Sequence, residues 1–450
     1  MKITVIGTGH VGLVVGACLA EIDNDVLCLD SDPSKIEALR AGRSPFFEPD
    51  LEPMVQRNQQ AGRLAFTLEI EQAVAHSQVI FLCLGTPPLP SGEADLSVVE
   101  RVTRQIATLA DGYRLVIGKS TVPVLTGQRI QKTMQLYSRG ASGEQFDVAS
   151  NPEFLAEGTA VYDFLYPDRI VVGVESLKAE NLLREIYAPV VRQDFPWNLE
   201  RPSPRNGREI PMLVTNRNSA ELIKHASNSF LAMKISYINA VANLCDKVGA
   251  DVEQVAHGMG FDHRIGSQFL KSGIGFGGFC FPKDLQAFVW IANQNGYDFQ
   301  LLREVEKINL QQIDVFLQKL RSEVWVLGGK TIAAWGLAFK PNTDDLRFSP
   351  ALTVIKKLLE QGAKIRAYDP KAMEEARKEL PSLTFCSSAL EAAEGADALL
   401  LLTEWAEFKT VDLAALRSKM TRPLIIDGRN VFDAQTIRAA GFEYASMGRP

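Results

Sequence analysis

The sequence predicts an α/β protein of two doubly wound, Rossmann-like domains joined by a long central helix and a helical region. Three observations predict it. The chain opens on an apolar strand, a glycine turn and an amphipathic helix. Apolar runs of strand length then alternate with helical stretches to about residue 200. After a long Pro- and Gly-free stretch, a second alternating series begins. At 450 residues the chain also exceeds what one hydrophobic core holds.

In chain order, Ile3 to Ile6 reads as the first strand, and Val26 to Leu29, ending on Asp30, as the second. Strands follow at Val79 to Leu84, Arg114 to Ile117 and Ile170 to Val174, an open parallel sheet wound on both faces. Residues 193–211 are Pro-rich with charges of both signs and read as a surface excursion. Residues 217–248 carry apolar residues at helical spacing and are long enough to join two domains. The second series begins at Val324, with strands near Thr331 to Trp335, Lys364 to Tyr368, Ala398 to Leu402 and Leu424 to Ile426. Domains are expected at 1–213, 214–320 and 321–450. The turn WGLAFKPNTDD keeps only Gly336 of a dinucleotide fingerprint, so no second dinucleotide site is expected.

A net charge of -6 argues against an electrostatic grip on nucleic acid or anionic lipid. No apolar run approaches 18 residues and the start is too short for a signal segment, so no membrane association is expected. The six cysteines are scattered without a CxxC pair, which fits a reducing cytoplasm. His10, His76, His225, His257 and His263 stand in separate contexts, and no metal site is expected.

Gly7-Thr8-Gly9-His10-Val11-Gly12 is a GxGxxG fingerprint between a strand and a helix. Gly7 permits the tight turn, Gly9 lets the backbone approach a pyrophosphate, and Gly12 allows close helix packing. Asp30 is placed to accept hydrogen bonds from an adenosine ribose and to repel a 2′-phosphate, which favours NAD over NADP. Gly85-Thr86-Pro87 and Lys119-Ser120-Thr121 follow strand ends where a cofactor would lie, although an ordinary Gly-Pro turn explains the first equally well.

Asn151-Pro152-Glu153-Phe154-Leu155-Ala156-Glu157-Gly158 puts two glutamates at i and i+4, on one face of a short helical turn. They suit a base and an anchor, or a solvated helix edge. Lys224 and Asn228 repeat that spacing on the long helix; the pair suits an oxyanion stabiliser, while a lone helical lysine is more often a surface charge. In SGIGFGGFCFPKD, residues 272–284, four glycines in six residues let the backbone fold closely round a ligand. Pro282 suits the first turn of a helix starting near Cys280. A thiol at a helix N-terminus becomes a nucleophile, and Asp284 lies on its side of the helix. Cys18, Cys28, Cys83, Cys245 and Cys386 read as structural.

These motifs occur together and in order with CLGTP, KSTVPV, ELIKHASNSFLAMKISYIN and GLAFKPNTDDLR, across nearly the whole chain. The sequence thereby resembles the UDP-glucose/GDP-mannose dehydrogenases. The resemblance implies an NAD domain, a central dimerisation region, a C-terminal domain for the sugar nucleotide, and a homodimer or higher homo-oligomer. It implies oxidation of a sugar C6 alcohol to a carboxylate with two NAD and one water. UDP-glucose is favoured by the helix and loop segments over GDP-mannose or a UDP-N-acetylhexosamine. Cys280 would form a thiohemiacetal and then a thioester; Lys224, Asn228 and Asp284 would hold the reacting oxygens and a water. Glu153 would assist hydrolysis, Thr121 would position a water, and Glu157 would belong to the hinge.

For NAD, the resemblance implies contacts from Gly7, Gly9, His10, Val11, Gly12, Asp30, Lys35, Gly85, Thr86, Thr121, Glu157, Lys283 and Arg347. For the sugar nucleotide it implies Glu153, Phe154, Leu155, Glu157, Lys224, Asn228, Arg264, Phe276, Gly277, Cys280, Phe339 and Lys340. Lys340 and Arg347 would bring positive charge to the diphosphate. His10 stands where the family commonly has Tyr, and Phe279 where a small residue is usual. A two-electron hydroxy-acid dehydrogenase would lack the cysteine loop and the second Rossmann-like domain. A regulator without turnover would have no use for the reacting side chains.

Overall fold

A computed structural model describes residues 1–204 and 207–449; Arg205 and Asn206, within the Pro-rich segment, lie outside the described residues, as does Pro450. The chain divides into two compact units, residues 1–227 with 286–295 and residues 228–285 with 296–450. Each has its own sheet.

The first unit holds β1 (Lys2–Ile6), β2 (Asp25–Leu29), β3 (Leu64–Thr67), β4 (Val79–Leu82), β5 (Arg114–Gly118), β6 (Phe146–Ser150), β7 (Ile170–Gly173) and β8 (Met212–Thr215). Their order is β3-β2-β1-β4-β5-β6-β7-β8. β1 lies between β2 and β4, with Ile6 beside Leu29 and Leu82, so the carboxyl ends of these strands share one edge. Strands covered on both faces need apolar side chains on both, which is why VIFL of β4 and RLVI of β5 are buried throughout. The helix His10–Glu21 packs on one face, buried from Gly12 to Glu21.

The second unit holds β9 (Thr331–Trp335), β10 (Lys364–Tyr368), β11 (Thr384–Phe385), β12 (Ala398–Leu401), β13 (Leu424–Asp427) and β14 (Glu443–Ser446), ordered β11-β10-β9-β12-β13-β14 and parallel. Its core centres on Trp335, Phe316 and Phe408, all fully buried. The doubly wound, two-sheet architecture expected from the sequence is the one observed. So is the long helix, Arg217–Val248, which contains the division between the units. No helix among the described residues is long and apolar enough to cross a membrane.

Three expectations need correction. The first sheet is not wholly parallel: β7 pairs antiparallel with β6 through Ser150 and Gly173, and β8 follows β7 in parallel. The segment NPEFLAEG forms no helix; 151–156 has no regular secondary structure and a turn follows at 157–159, so its glutamates do not share a helix face. A proline two residues past a strand end starts a helix only if the following backbone N–H groups join it, and here the Leu155 N–H goes to the Glu153 carboxylate at 2.6 Å. Nor does the second series start at Val324 itself. The helix Gln300–Glu323 runs up to it, and the next strand starts at Thr331. The surface excursion expected over 193–211 is observed in its described residues, most of which are exposed, with Phe195 and Ile210 in the first core and Trp197 packed edge-on against Tyr162 as anchors. Asn198 donates to Glu21 at 2.9 Å.

Candidate active site

In the first unit the fingerprint turn is tight and then opens. Gly7 has φ +97°, and a Cβ on Gly12 would stand 1.8 Å from the Gly7 carbonyl oxygen, so only glycine lets the helix start this close to the strand. Gly9 is exposed, and a Cβ there would meet nothing within 4 Å. Asp30, half-buried, accepts from the Thr8 N–H at 2.7 Å and hydroxyl at 2.8 Å, and from the Asp32 N–H at 3.1 Å. Burial would raise its carboxyl, but these hydrogen bonds and the nearby Lys35 charge outweigh that and hold it below its ordinary value. An exposed glycine turn at a helix N-terminus beside an ionised acid fits a dinucleotide with free ribose hydroxyls. Val11 is half-buried in the first helical turn.

The two further strand-end turns meet. Thr86 donates its hydroxyl to the Thr121 carbonyl at 2.9 Å, and Ser120 donates to the Leu84 carbonyl at 2.7 Å. Gly85 is exposed beside them. Behind the turn, buried Lys119 donates to Asn151 Oδ1 at 3.1 Å and to the Tyr187 hydroxyl at 3.3 Å. Desolvation lowers its pKa to about 8, against the opposing pull of Cys83 and Glu153.

Lys224 and Glu153 form a buried ion pair at 2.8 Å, each side chain 4 % exposed. The reading of Lys224 as a surface charge fails here. Removing either partner would strand a buried charge at a cost of about 3–5 kcal/mol. Phe154 lies under the Arg169 guanidinium at 3.9 Å, and the Leu155 N–H donates to the second Glu153 oxygen. Glu157 stands half-buried further along the loop.

Two acids the sequence does not single out organise this unit. Glu48, the glutamate of FFEPD, accepts from the Gly158 N–H at 2.7 Å and the Ala160 N–H at 2.8 Å, and faces His10 Nε2 at 3.0 Å. It ties the loop carrying Glu153 and Glu157 to the fingerprint helix. Glu221 sits three residues before Lys224 and is 3 % exposed. Neither has a motif that would have revealed it.

The helix Cys280–Gln294 begins on Cys280 itself, and its residues up to Leu285 belong to the second unit. Asp284, 1 % exposed, accepts from Asn228 Nδ2 at 2.6 Å and faces Lys283 Nζ at 2.7 Å. Of the three polar groups expected to act with the cysteine, Asn228 and Asp284 are joined in one buried cluster with Lys283, whereas Lys224 pairs with Glu153. Cys280 is the one thiol among the six that is not buried. Burial drives the Cys18 and Cys28 thiols well above the ordinary range and Cys83 to about 12; Cys245 and Cys386 are also raised, by burial first.

The glycine loop before Cys280 closes on the chain itself. A Cβ on Gly277 would lie 2.3 Å from the Phe348 carbonyl oxygen, so its glycine is needed for protein packing whatever ligand follows. Phe276 is fixed by Asn309 through hydrogen bonds in both directions, 2.8 and 3.0 Å. Gly278 donates to the Arg347 carbonyl at 3.0 Å, and the Arg347 guanidinium lies over Phe279 at 4.6 Å. Lys340 extends past Phe339. Arg264 is not gathered with this group: it pairs with Asp262 on an exposed turn.

The geometry yields a dinucleotide fold with a buried Lys–Glu pair, and an accessible thiol with a buried Asn–Asp–Lys cluster. The sequence matches the UDP-glucose/GDP-mannose dehydrogenase family in three parts: the NAD binding domain over residues 1–191, the central domain over 218–311, and the UDP binding domain over 333–434. It is 44 % identical to the Bacillus subtilis UDP-glucose 6-dehydrogenase TuaD, covering 100 % of this chain and 93 % of that protein. It is 45 % identical to the B. subtilis UDP-glucose 6-dehydrogenase YwqF, covering 100 % and 98 %. Among solved structures it is similar to a UDP-glucose dehydrogenase from Pyrobaculum islandicum, with a TM-score of 0.88 and 35 % identity over 100 % of this chain and 98 % of the other. The thiol, the buried pair and the fingerprint thus belong to an NAD-dependent nucleotide-sugar oxidoreductase, and the chain is a member of the UDP-glucose/GDP-mannose dehydrogenase family.

Proposed function

We propose that the chain oxidises UDP-glucose at C6 to UDP-glucuronate, with two NAD and one water consumed and two NADH formed. The observation that carries this reading is Cys280, the accessible thiol at a helix start beside a buried Asp284 held by Asn228 and Lys283. The UDP-glucose enzymes similar to it along their whole length supply the sugar.

NAD, when bound, supplies the hydride acceptor for each oxidation. Residues 1–213 hold it through Gly7, Gly9, His10, Val11 and Gly12, with Asp30 and Lys35 at the ribose and Gly85, Thr86 and Thr121 at the adjoining turns; Glu157, Lys283 and Arg347 are further contacts. Lys224 stabilises negative charge on the C6 oxygen, and Asn228 and Asp284 orient it. Cys280 Sγ bonds to C6 of the aldehyde, which keeps a reactive intermediate attached until the second oxidation leaves a thioester. Water then bonds to the acyl carbon, the C–S bond breaks, and Glu153 takes the water's proton, with Thr121 orienting that water. Phe154, Leu155, Arg264, Phe276, Gly277 and Phe339 contact the sugar nucleotide, while Lys340 and Arg347 face its diphosphate from residues 321–450.

The chain works as a cytoplasmic homo-oligomer built through residues 214–320. Phe230, Tyr237 and Leu244 recur every seven residues on the long helix and are 58, 55 and 58 % exposed, a stripe suited to a second copy.

The test is stoichiometry and one substitution. Two NADH per UDP-glucose are expected from the parent, and Cys280→Ser should bind NAD yet yield no glucuronate. One NADH per sugar, or undiminished glucuronate from Cys280→Ser, overturns the reading; turnover with GDP-mannose alone overturns the substrate.

A further inference from the structure

Glu221 has no part in the chemistry above, yet it joins three segments that do. It lies on the long helix three residues before Lys224 and is almost fully buried. Its Oε2 accepts from the Leu125 N–H at 2.8 Å, just beyond the turn bearing Thr121. Its Oε1 accepts from the Gly127 N–H at 2.7 Å, in the first turn of the helix Thr126–Tyr137. The same oxygen accepts from the Ser150 hydroxyl at 2.9 Å, at the end of β6 and three residues before Glu153. Gly127 must be glycine for this: its Cβ would stand 2.9 Å from Ser150 Oγ and 3.0 Å from Glu221 Oε1.

Beside the carboxylate is a cavity of about 10 Å³, room for one water, lined by Ser120, Thr121, Ser150, Pro152, Glu221 and Lys224. Burial raises the Glu221 carboxyl against the opposing hydrogen bonds from Gly127, Ser150 and Leu125, so the group is costly to keep here without those donors.

We propose that Glu221 is a positioning residue for thioester hydrolysis: one carboxylate clamps the segments carrying Thr121, Glu153 and Lys224 and thereby fixes the water-sized cavity bordered by Thr121, Lys224 and Pro152, the neighbour of Glu153. This rests on the thioester reading above. In the step it serves, the water oxygen bonds to the acyl carbon, Cys280 leaves as thiolate, and the water's proton passes to Glu153; no oxidant is involved. Glutamine cannot replace the clamp. Its single carbonyl oxygen can serve Gly127 and Ser150, but its amide N–H groups then face the Leu125 N–H.

The experiment supplies full-length Glu221→Gln with saturating NAD and UDP-glucose, quenches it in acid and measures intact subunit mass. A misplaced hydrolytic water should lower kcat by roughly tenfold to a hundredfold, leave KM for NAD within about twofold, and let the acyl adduct on Cys280 accumulate. Ser150→Ala, which removes one of three hydrogen bonds and keeps the charge, should show the same pattern at smaller size if Glu221→Gln folds poorly. A parent-like kcat, a fall with no adduct, or an equal loss in NAD affinity overturns the positioning role. Glu153→Gln separates the two readings. An adduct there with none in either clamp variant removes Glu221 from the mechanism and keeps the thioester; no adduct in any of them removes both.

Discussion

The two sheets repeat one strand order, β3-β2-β1-β4-β5-β6 in the first unit and β11-β10-β9-β12-β13-β14 in the second, and they match at the first turn nearly bond for bond. The Gly7 N–H donates to the Leu29 carbonyl, and the Gly336 N–H to the Tyr368 carbonyl. Thr8 and Leu337 each give a backbone N–H to the acid that follows the second strand, Asp30 or Asp369, at 2.7 Å in both cases. Each acid also accepts from the N–H two residues on, Asp32 or Lys371, and there the likeness ends. Asp369 is 1 % exposed and takes further N–H donors from Ala338, Ala372 and the Trp405 indole. Exposed Gly9 is replaced by buried Ala338. The turn is thus a property of the fold, while ligand use depends on an acid with lone pairs to spare and an open backbone beside it.

The largest test of this contrast is at the glycines. Gly12→Ala should weaken NAD binding by roughly 100-fold or more in a fluorescence titration, because the methyl would sit inside the Gly7 carbonyl. Gly336→Ala, at φ +91° with its Cβ 2.4 Å from Thr403, should cost about 3 kcal/mol of stability and leave NAD affinity intact. Comparable damage to NAD binding from both would break the contrast.

Next come the acids. Asp369→Asn should lower unfolding free energy by about 2–4 kcal/mol, since an amide cannot accept all five donors. Asp30→Asn should chiefly raise the NAD dissociation constant, by roughly tenfold. Denaturant melts paired with titrations check both; reversed roles would refute the assignment.

A third difference lies where β5 and β13 end. Lys119 is buried past one, and half-buried Arg429 lies past the other, donating to the Leu402 and Gly275 carbonyls at 2.9 Å. Burial depresses the folded-state pKa of Lys119 to about 8 from 10.5. Between those values the unfolded chain binds the proton that the folded one has lost, so this group's contribution to stability rises with pH through that window. Lys119→Met should flatten that rise, by about 3 kcal/mol between pH 7.5 and 10.5, in urea unfolding series. An unchanged slope would show that Lys119 is not desolvated. A guanidinium, keeping its proton throughout, gives the second sheet no such slope.

The smallest effect concerns the segment 193–211. Asn198→Ala removes its bond to Glu21 and should cost about 1 kcal/mol or less, with kcat unchanged. A large loss of activity would mean that the segment serves chemistry and not only packing.

Most of the fold was legible because central parallel strands are unbroken apolar runs and because nothing interrupts 217–248. Thr331–Trp335 and Lys364–Tyr368 emerge with the boundaries expected from sequence. β3, β6 and β8 were not read: LAFT is short, FDVAS carries an acid, and MLVT follows a Pro-rich stretch. The direction of β7 is set by tertiary pairing, which has no periodicity of its own. In the site, Cys280 and Asp284 were legible because a glycine loop and a proline frame them. Glu48 and Glu221 were not, since each works by accepting backbone N–H groups from segments at least 90 residues away. Lone glutamates carry no local mark of that work.

Five of the six sulfurs are sealed in packed interiors and resist ionisation, while the sixth stands at the start of its helix. A mild maleimide therefore has a single address per chain. On the mechanism proposed above, the number of thiols it consumes is a census of competent subunits, and a trace of peroxide would act first at that one atom.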